Sequence, residues 1–233
     1  MEKRRELPKN EQTGKSNRAR LERAAELYRT LDEYDRGFRH SNGTLLAGVD
    51  EAGRGALAGP VVAASVVLPA DSGLTGVRDS KTVDENDRES LFEEIVRRAI
   101  AIGIACSSAS CIDDSNILVA TLSAMERAVH NLGIVPDLAI VDGRDIPHLP
   151  CRAVPVVGGD RSSLSIAAAS ILAKVARDRM MRKLHRKHPV YNFLKNKGYG
   201  TREHRAAIAL HGTVPIHRKS YRVKSIENIP QLL

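Results

Sequence analysis

The sequence predicts an α/β sandwich with a small C-terminal appendage, and three observations carry that expectation. Apolar runs of strand length alternate along the chain with amphipathic or Ala-rich stretches of helix length. Aromatic residues supply only 3% of the 233 residues and Trp none, so the core must be built from Ala, Val, Ile and Leu, which suits helices packed closely on a sheet. Hydrophobic residues make up 42%, ample for a real core in a chain of this length.

Each element follows from its own pattern. Residues 17–36 place Leu21, Ala24, Ala25, Tyr28 and Leu31 at helical spacing after a polar start, which predicts a peripheral amphipathic helix. LLAGVD (45–50) and PVVAASVVLP (60–69) read as two buried strands joined by the Gly-rich turn AGRGALAG. A helical pattern over 83–99 leads into a third strand, AIAIGIAC (99–106). Residues 115–133 then read as a helix with Ser115 as its N-cap and Gly133 as its stop. DLAIVDGRD (137–145) holds four apolar residues ending at Asp142, and CRAVPVV (151–157) is a short strand that Pro155 consigns to an edge. Asp160 precedes a long Ala-rich helix stopped by Pro189, and one more helix spans Arg202 to Leu210.

Charge is partitioned, not spread. Residues 1–44 carry +3, residues 45–170 carry −7 and residues 171–233 carry +12, within a total of +8. An acidic centre can hold a divalent cation, and a basic flank is the footprint of a polyanion partner such as nucleic acid. The longest uncharged run, Gly55 to Ala70, contains two prolines and falls short of the roughly 20 apolar residues a membrane span needs. The first residues have no apolar core of a secretory signal, so the expected setting is the cytoplasm. Cys106, Cys111 and Cys151 lack metal-type or disulfide-type pairing and are expected as reduced thiols.

Asp50 with Glu51, Asp142 and Asp160 each sit beside glycine where a strand ends or a helix begins. Carboxylates at such positions are how an α/β sheet presents oxygen ligands to Mg²⁺ or Mn²⁺. Adjacent residues of a regular strand face opposite ways, so Asp50 and Glu51 are expected to share a site through a strand end or bulge, which Gly53 and Gly55 would permit. Taken singly, Asp160 also fits a helix N-cap and Asp142 a turn before Gly143. The combination gains weight from DEAGRGALAGP, where a carboxylate pair precedes backbone amides and Arg54 suited to a phosphate. A dinucleotide-binding turn would have to open a helix, and here Pro60 opens a β-branched run. His185 and His188 lack a third ligand and read as a solvated helix end, while His204, His211 and His217 lie in the basic tail.

The segments GVDEAGRGALAGPVVAA, DSK (79–81), IDDSNILVAT, AIVDGRD, GGDRSSLSIAAASILAKVARDRMM, HPVYNFLKNKGYGTREH and PIHRKS, in order from about 45 to 221, closely resemble type 2 ribonuclease H. The resemblance implies an RNase H-like mixed β-sheet flanked by helices, with a small helical C-terminal appendage. It further implies cleavage of RNA in RNA/DNA hybrids and incision 5′ to single ribonucleotides in duplex DNA, leaving 3′-hydroxyl and 5′-phosphate ends. By the same resemblance Asp50, Glu51, Asp142 and Asp160 are the catalytic ligands of two Mg²⁺ or Mn²⁺ ions. Gly53, Arg54 and Gly55 read the ribose 2′-hydroxyl and its phosphate, Tyr199 stacks on the sugar beside the junction, and Lys81 contacts phosphate. The 2′-hydroxyl is the handle that separates RNA from DNA at one nucleotide.

Two departures stand out: Gly158, Gly159 and Asp160 stand where the family usually has KGD or KAD, and Ala56 stands where it usually has proline. Arg161, immediately after the aspartate, offers a compensating charge from a different direction along the chain, so altered phosphate affinity or turnover is expected. The expected organisation is an N-terminal extension with an accessory helix (1–43), a catalytic domain (44–188) and a small basic C-terminal region (189–233). A monomer is expected, the short apolar ending QLL hints at a peptide docked elsewhere, and recruitment by a clamp-type partner stays open. Two other readings stay open: a binding protein that keeps the fold without catalysis, and a related nuclease acting on all-DNA duplexes.

Overall fold

The computed structural model describes residues 9–41, 43–78 and 80–221. Asp79 of the DSK motif and the QLL ending lie outside them. The sheet grows from the two runs that flank the Gly-rich turn: β1 (Leu46–Ala52) and β2 (Val61–Val67) pair antiparallel, with Ala47 opposite Val67 and Ala52 opposite Val62. β3 (Ala101–Ser107) adds antiparallel to β2, while β4 (Leu138–Asp142) and β5 (Arg152–Val156) add in parallel beyond β1. Among the described residues the order is β3-β2-β1-β4-β5. Pro155 therefore sits on an edge strand, where a missing N–H costs no ladder bond on the outer side.

Strand alternation decides what each face touches. Ala47 and Val49 of β1, with Ala139 and Val141 of β4, pack on α4 (Ile117–His130) through Ala124, Met125 and Ala128. The opposite face takes α5 (Leu164–Lys187), whose buried Ala167, Ala168 and Ala169 join Ala64 and Val66 of β2. α2 (Glu85–Arg98) adds Leu91 and Ile95, and α1 (Lys9–Arg36) adds Leu31, all to the α5 side. Close approach has a local cause: a Cβ on Gly48 would overlap the backbone of Ser165, so only glycine lets β1 lie against the first turn of α5.

Several boundaries differ from the sequence expectation. The first helix begins at Lys9 rather than residue 17. Asn116, not Ser115, caps α4, its side chain accepting from the amide of Val119 at 3.0 Å. Ser115 is occupied elsewhere, donating its hydroxyl to the carbonyl of Cys111 and closing an unexpected short helix, α3 (Ala109–Asp114). Most consequential, β1 neither ends nor bulges at Asp50: the ladder to β2 runs on through Asp50 opposite Ala64 and Glu51 opposite Ala63.

The C-terminal elements α6 (Phe193–Asn196) and α7 (Arg202–His211) gather around Ala58, Met181, Tyr191, Phe193 and Ile208. They are stitched to the β1–β2 connection by backbone bonds from Leu57 to Gly198 and from Gly59 to Ile216, both 2.8 Å. No helix among the described residues is long and apolar enough to cross a membrane. All three cysteines are free, as expected.

Candidate active site

Val49 and Val141 are the last paired residues of parallel strands β1 and β4. Asp50 and Asp142 each come one residue later, and alternation turns both toward the α5 side. Glu51 follows on the same strand, and its carboxylate still reaches that of Asp50 and feels the charge of Asp142, for β4 stops at Asp142 and leaves β1 without a parallel neighbour there. Asp160 arrives separately, in a 3₁₀ turn (Gly159–Arg161) between β5 and α5. It does not cap α5; Ser163 does, accepting from the amide of Ile166 at 3.1 Å. Nor is Asp142 a simple turn residue, since its Oδ1 accepts from the amide of Gly159 at 2.7 Å.

The electrostatics follow from putting like charges where water is scarce. Asp50 is 4% exposed, and burial, then Glu51, then Asp142, hold its carboxyl well above the usual range. Burial likewise raises Glu51, with Arg54 opposing at 3.4 Å, and raises Asp142 against the pull of the Gly159 amide. Asp160, also buried, is met by Lys81 Nζ at 3.1 Å and by Arg161 Nε at 3.9 Å. Arg161 thus does reach the aspartate beside it.

Four buried or half-buried carboxylates, all oxygen donors, suit a hard divalent cation. Their arrangement is looser than a coordination shell: among the described residues no three His, Cys, Asp or Glu side chains are gathered tightly enough to grip an ion. Each carboxylate instead leans on a local partner, whether an amide, Arg54 or Lys81. The donor chemistry fits the cation, and the mutual repulsion gives it something to relieve.

The Gly53–Gly55 loop lies beside these residues, and two buried arginines brace it from behind. Arg177, fully buried on α5, donates Nε to the carbonyl of Pro60 (2.9 Å), Nη2 to Ala58 (3.1 Å) and Nη1 to Lys197 (2.9 Å). Arg218 donates Nη2 to Gly53 (2.8 Å), Nη1 to Arg54 (2.7 Å) and Nε to Gly59 (3.1 Å). With the carbonyls of Gly53 and Arg54 committed to Arg218, the loop's orientation is set. Gly53 has φ +99°, a conformation side-chain-bearing residues rarely adopt. Arg54 remains half exposed.

Tyr199 is 37% exposed, with the Arg177 guanidinium carbon 5.3 Å from its ring centroid. Tyr191, by contrast, is 2% exposed and stacked on Phe193 at 5.4 Å. Burial thus separates two tyrosines that look alike in sequence. His204 and His217 lie behind Tyr199: their Nε2 atoms are 3.1 Å apart, and His204 Nδ1 is 3.0 Å from the Tyr199 carbonyl.

With this geometry in view, comparison with known proteins decides the family. A family model described as Ribonuclease HII matches residues 47–224. The chain belongs to the ribonuclease HII family. The ribonuclease HII of Syntrophus aciditrophicus is 51% identical over 203 residues, spanning 87% of this chain and 95% of the relative. That of Caldanaerobacter subterraneus is 46% identical over 212 residues, spanning 91% and 88%. Among solved structures, the PCNA:RNase HII complex from Archaeoglobus fulgidus contains a chain 27% identical, with a TM-score of 0.65 and coverage of 79% of this chain and 100% of that one. The ribonuclease H2 of Pyrococcus horikoshii gives 25%, 0.63, 76% and 93%. The fold is therefore the RNase H-like sheet, and membership makes the chain a hydrolytic, metal-dependent endoribonuclease.

The two departures from the family pattern have local settings. The Ala56 amide donates to the Gly53 carbonyl at 3.3 Å, a bond proline would lose. Gly158, at the place of the lysine, has φ +70°, and a Cβ there would lie 3.1 Å from Arg161 Nη2. Sequence reasoning assigned no role to Arg177 or Arg218. A signal existed for the first: Ala169, Ala173 and Arg177 recur every four residues along one buried stripe of α5, an unusual place for a guanidinium.

Proposed function

We propose that this ribonuclease H hydrolyses the RNA strand of RNA/DNA hybrids and incises 5′ to single ribonucleotides in duplex DNA, leaving 3′-hydroxyl and 5′-phosphate ends. The observation that carries the reading is the adjacency of Asp50 and Asp142, on one face of neighbouring parallel strands, beside the loop braced by Arg177 and Arg218. Asp50, Glu51, Asp142 and Asp160 would hold two Mg²⁺ or Mn²⁺ ions. Bound ions of this kind activate water and neutralise charge on the departing oxygen of a phosphodiester.

The protein's own groups then have distinct tasks. Gly53 and Gly55 bring backbone close to the ribose 2′-hydroxyl, while the half-exposed Arg54 turns from Glu51 to the adjacent phosphate. Tyr199 lays its exposed face on the sugar beside the junction, and Lys81 exchanges its hold on Asp160 for a phosphate. The basic C-terminal part, residues 189–233, extends the contact to the duplex backbone beyond the catalytic part (44–188), with residues 1–43 as an accessory extension. We also propose that the chain works as a cytoplasmic monomer, and that a clamp recruits it as PCNA accompanies the Archaeoglobus relative.

Incubation of a duplex carrying one ribonucleotide with Mg²⁺ or Mn²⁺ tests the reading: a nick appears 5′ to that ribonucleotide and disappears in Asp50→Asn. Absence of nicking, or salt-sensitive hybrid binding with no turnover, would reject it. Equal cleavage of an all-DNA duplex would move the chain to a different nuclease class.

A further inference from the structure

We propose that Asp35, in the helix that precedes the segment matched by the family model, is a positioning residue for the acidic site. It does so by fixing the first turn of α5, and through that turn the strand ends and loop that carry Asp50, Asp142 and Asp160. The inference rests on the reading of these aspartates as cation ligands.

Asp35 is 0% exposed, a costly place for a carboxylate unless its oxygens are fully bonded. They are. Its Oδ1 accepts from the Ser163 hydroxyl at 2.5 Å, and its Oδ2 accepts from both the hydroxyl (2.6 Å) and the amide (2.8 Å) of Ser165. The positive end of a helix favours such an anion. By taking the one hydroxyl proton of Ser163, Asp35 leaves that oxygen's lone pair turned to the Ile166 amide, so the N-cap and the carboxylate define each other.

From that turn, three short paths lead to the acidic residues. The amides of Ser162 and Ser163 both donate to the Gly159 carbonyl, at 3.0 and 2.9 Å, closing the turn that bears Asp160. The Gly159 amide in turn donates to Asp142 Oδ1 at 2.7 Å. On the sheet side, the Ser165 backbone rests against Gly48, two residues before Asp50. An apolar side chain in place of Asp35 could fill the volume but could not orient two hydroxyls and an amide. α1 is held independently by Leu31 in the core and by Tyr28, whose hydroxyl accepts from the Gly73 amide at 3.1 Å. Loss of the Asp35 bonds therefore leaves the helix docked and the turn free.

The test compares Asp35→Asn and Ser165→Ala with the parent protein by Mn²⁺ titration calorimetry, thermal melting, and steady-state nicking of a duplex with one ribonucleotide. Asp35→Asn is expected to weaken Mn²⁺ binding roughly 10-fold, as groups behind metal ligands commonly do, and to lower kcat while the KM for duplex stays within about twofold. Ser165→Ala keeps the carboxylate and the bond to the Ser165 amide, so it weakens Mn²⁺ binding by less, about threefold. It supplies the decisive measurement if Asp35→Asn does not fold. A lowered melting temperature with Mn²⁺ affinity and kcat both unchanged, in either folded variant, would overturn the inference and reduce Asp35 to a brace. Asp142→Asn and Asp160→Asn serve as controls: if they too bind Mn²⁺ as the parent does, the ligand reading itself has failed.

Discussion

A Cβ on Gly53 would overlap the Nε atom of Arg177, whose guanidinium fills the space behind the loop. With φ at +99°, Gly53→Ala carries both backbone strain and a clash against a side chain that three carbonyls hold in place. The expected result is a loss of about 1–3 kcal/mol of stability together with weaker nicking of single-ribonucleotide duplexes. Urea unfolding and initial rates measure the two effects.

Arg177→Lys is not a conservative change at this position. One ammonium cannot satisfy the carbonyls of Ala58, Pro60 and Lys197 that a planar fork reaches together. Two stranded buried carbonyls predict a loss of about 2–5 kcal/mol, read by the urea midpoint at unchanged slope. A midpoint equal to that of the parent would show that the fork is dispensable.

Asp50 illustrates a conflict between folding and function. Its folded carboxyl is held well above the ordinary value of 3.8 by burial, Glu51 and Asp142. The folded protein therefore keeps a proton that the unfolded chain has released, and the stability from this group is lost as pH rises through the folded value. Asp50→Asn should raise the melting temperature in chelator at pH 7, with the gain shrinking toward pH 4, while abolishing nicking. Mg²⁺ should then raise the melting temperature of the parent more than that of the variant.

The paired His204 and His217 have the opposite sign. Burial, then the neighbouring His204, pushes His217 down to about 4, and burial lowers His204 as well. The unfolded chain takes up protons first, so the stability these residues contribute is present above the ordinary value of 6.5 and lost as pH falls toward 4. Unfolding free energies at pH 7 and pH 5 should differ less in His217→Gln than in the parent. An equal difference would show that the pair does not stay neutral.

Gly158→Lys restores the family's usual residue but sets it at φ +70° and against Arg161 Nη2. Backbone strain of about 1–2 kcal/mol is expected, which Arg161→Ala does not relieve. Thermal melting of the single and double variants checks it.

Much of the scaffold was legible because its signals are local. Valine-rich runs gave the strands, Pro155 marked the edge, and acidic residues at the ends of such runs pointed to the rim of the sheet. Caps were less legible: Ser115 and Asn116 are both good cap residues, and the choice fell to Asn116 only because Ser115 closes the preceding turn. The expected strand end at Asp50 failed for a different reason. Whether a strand continues depends on its neighbours, and here β2 continues alongside β1 while β4 stops.

By itself the sequence determined the kinds of element, their order, the separation of an acidic centre from a basic tail, and the motif blocks of the family, because periodicity, propensity and charge act over a few residues. Only the tertiary structure decided that Asp50 and Asp142 share a face, that Tyr191 is core while Tyr199 is exposed, and that Arg218 holds the carbonyls of Gly53 and Arg54 while Arg177 packs behind Gly53. Asp35 is a further case, bonded to serines 128 and 130 residues away. A buried polar group must be matched by a partner wherever the fold supplies one, and no local pattern in the chain encodes which partner that will be.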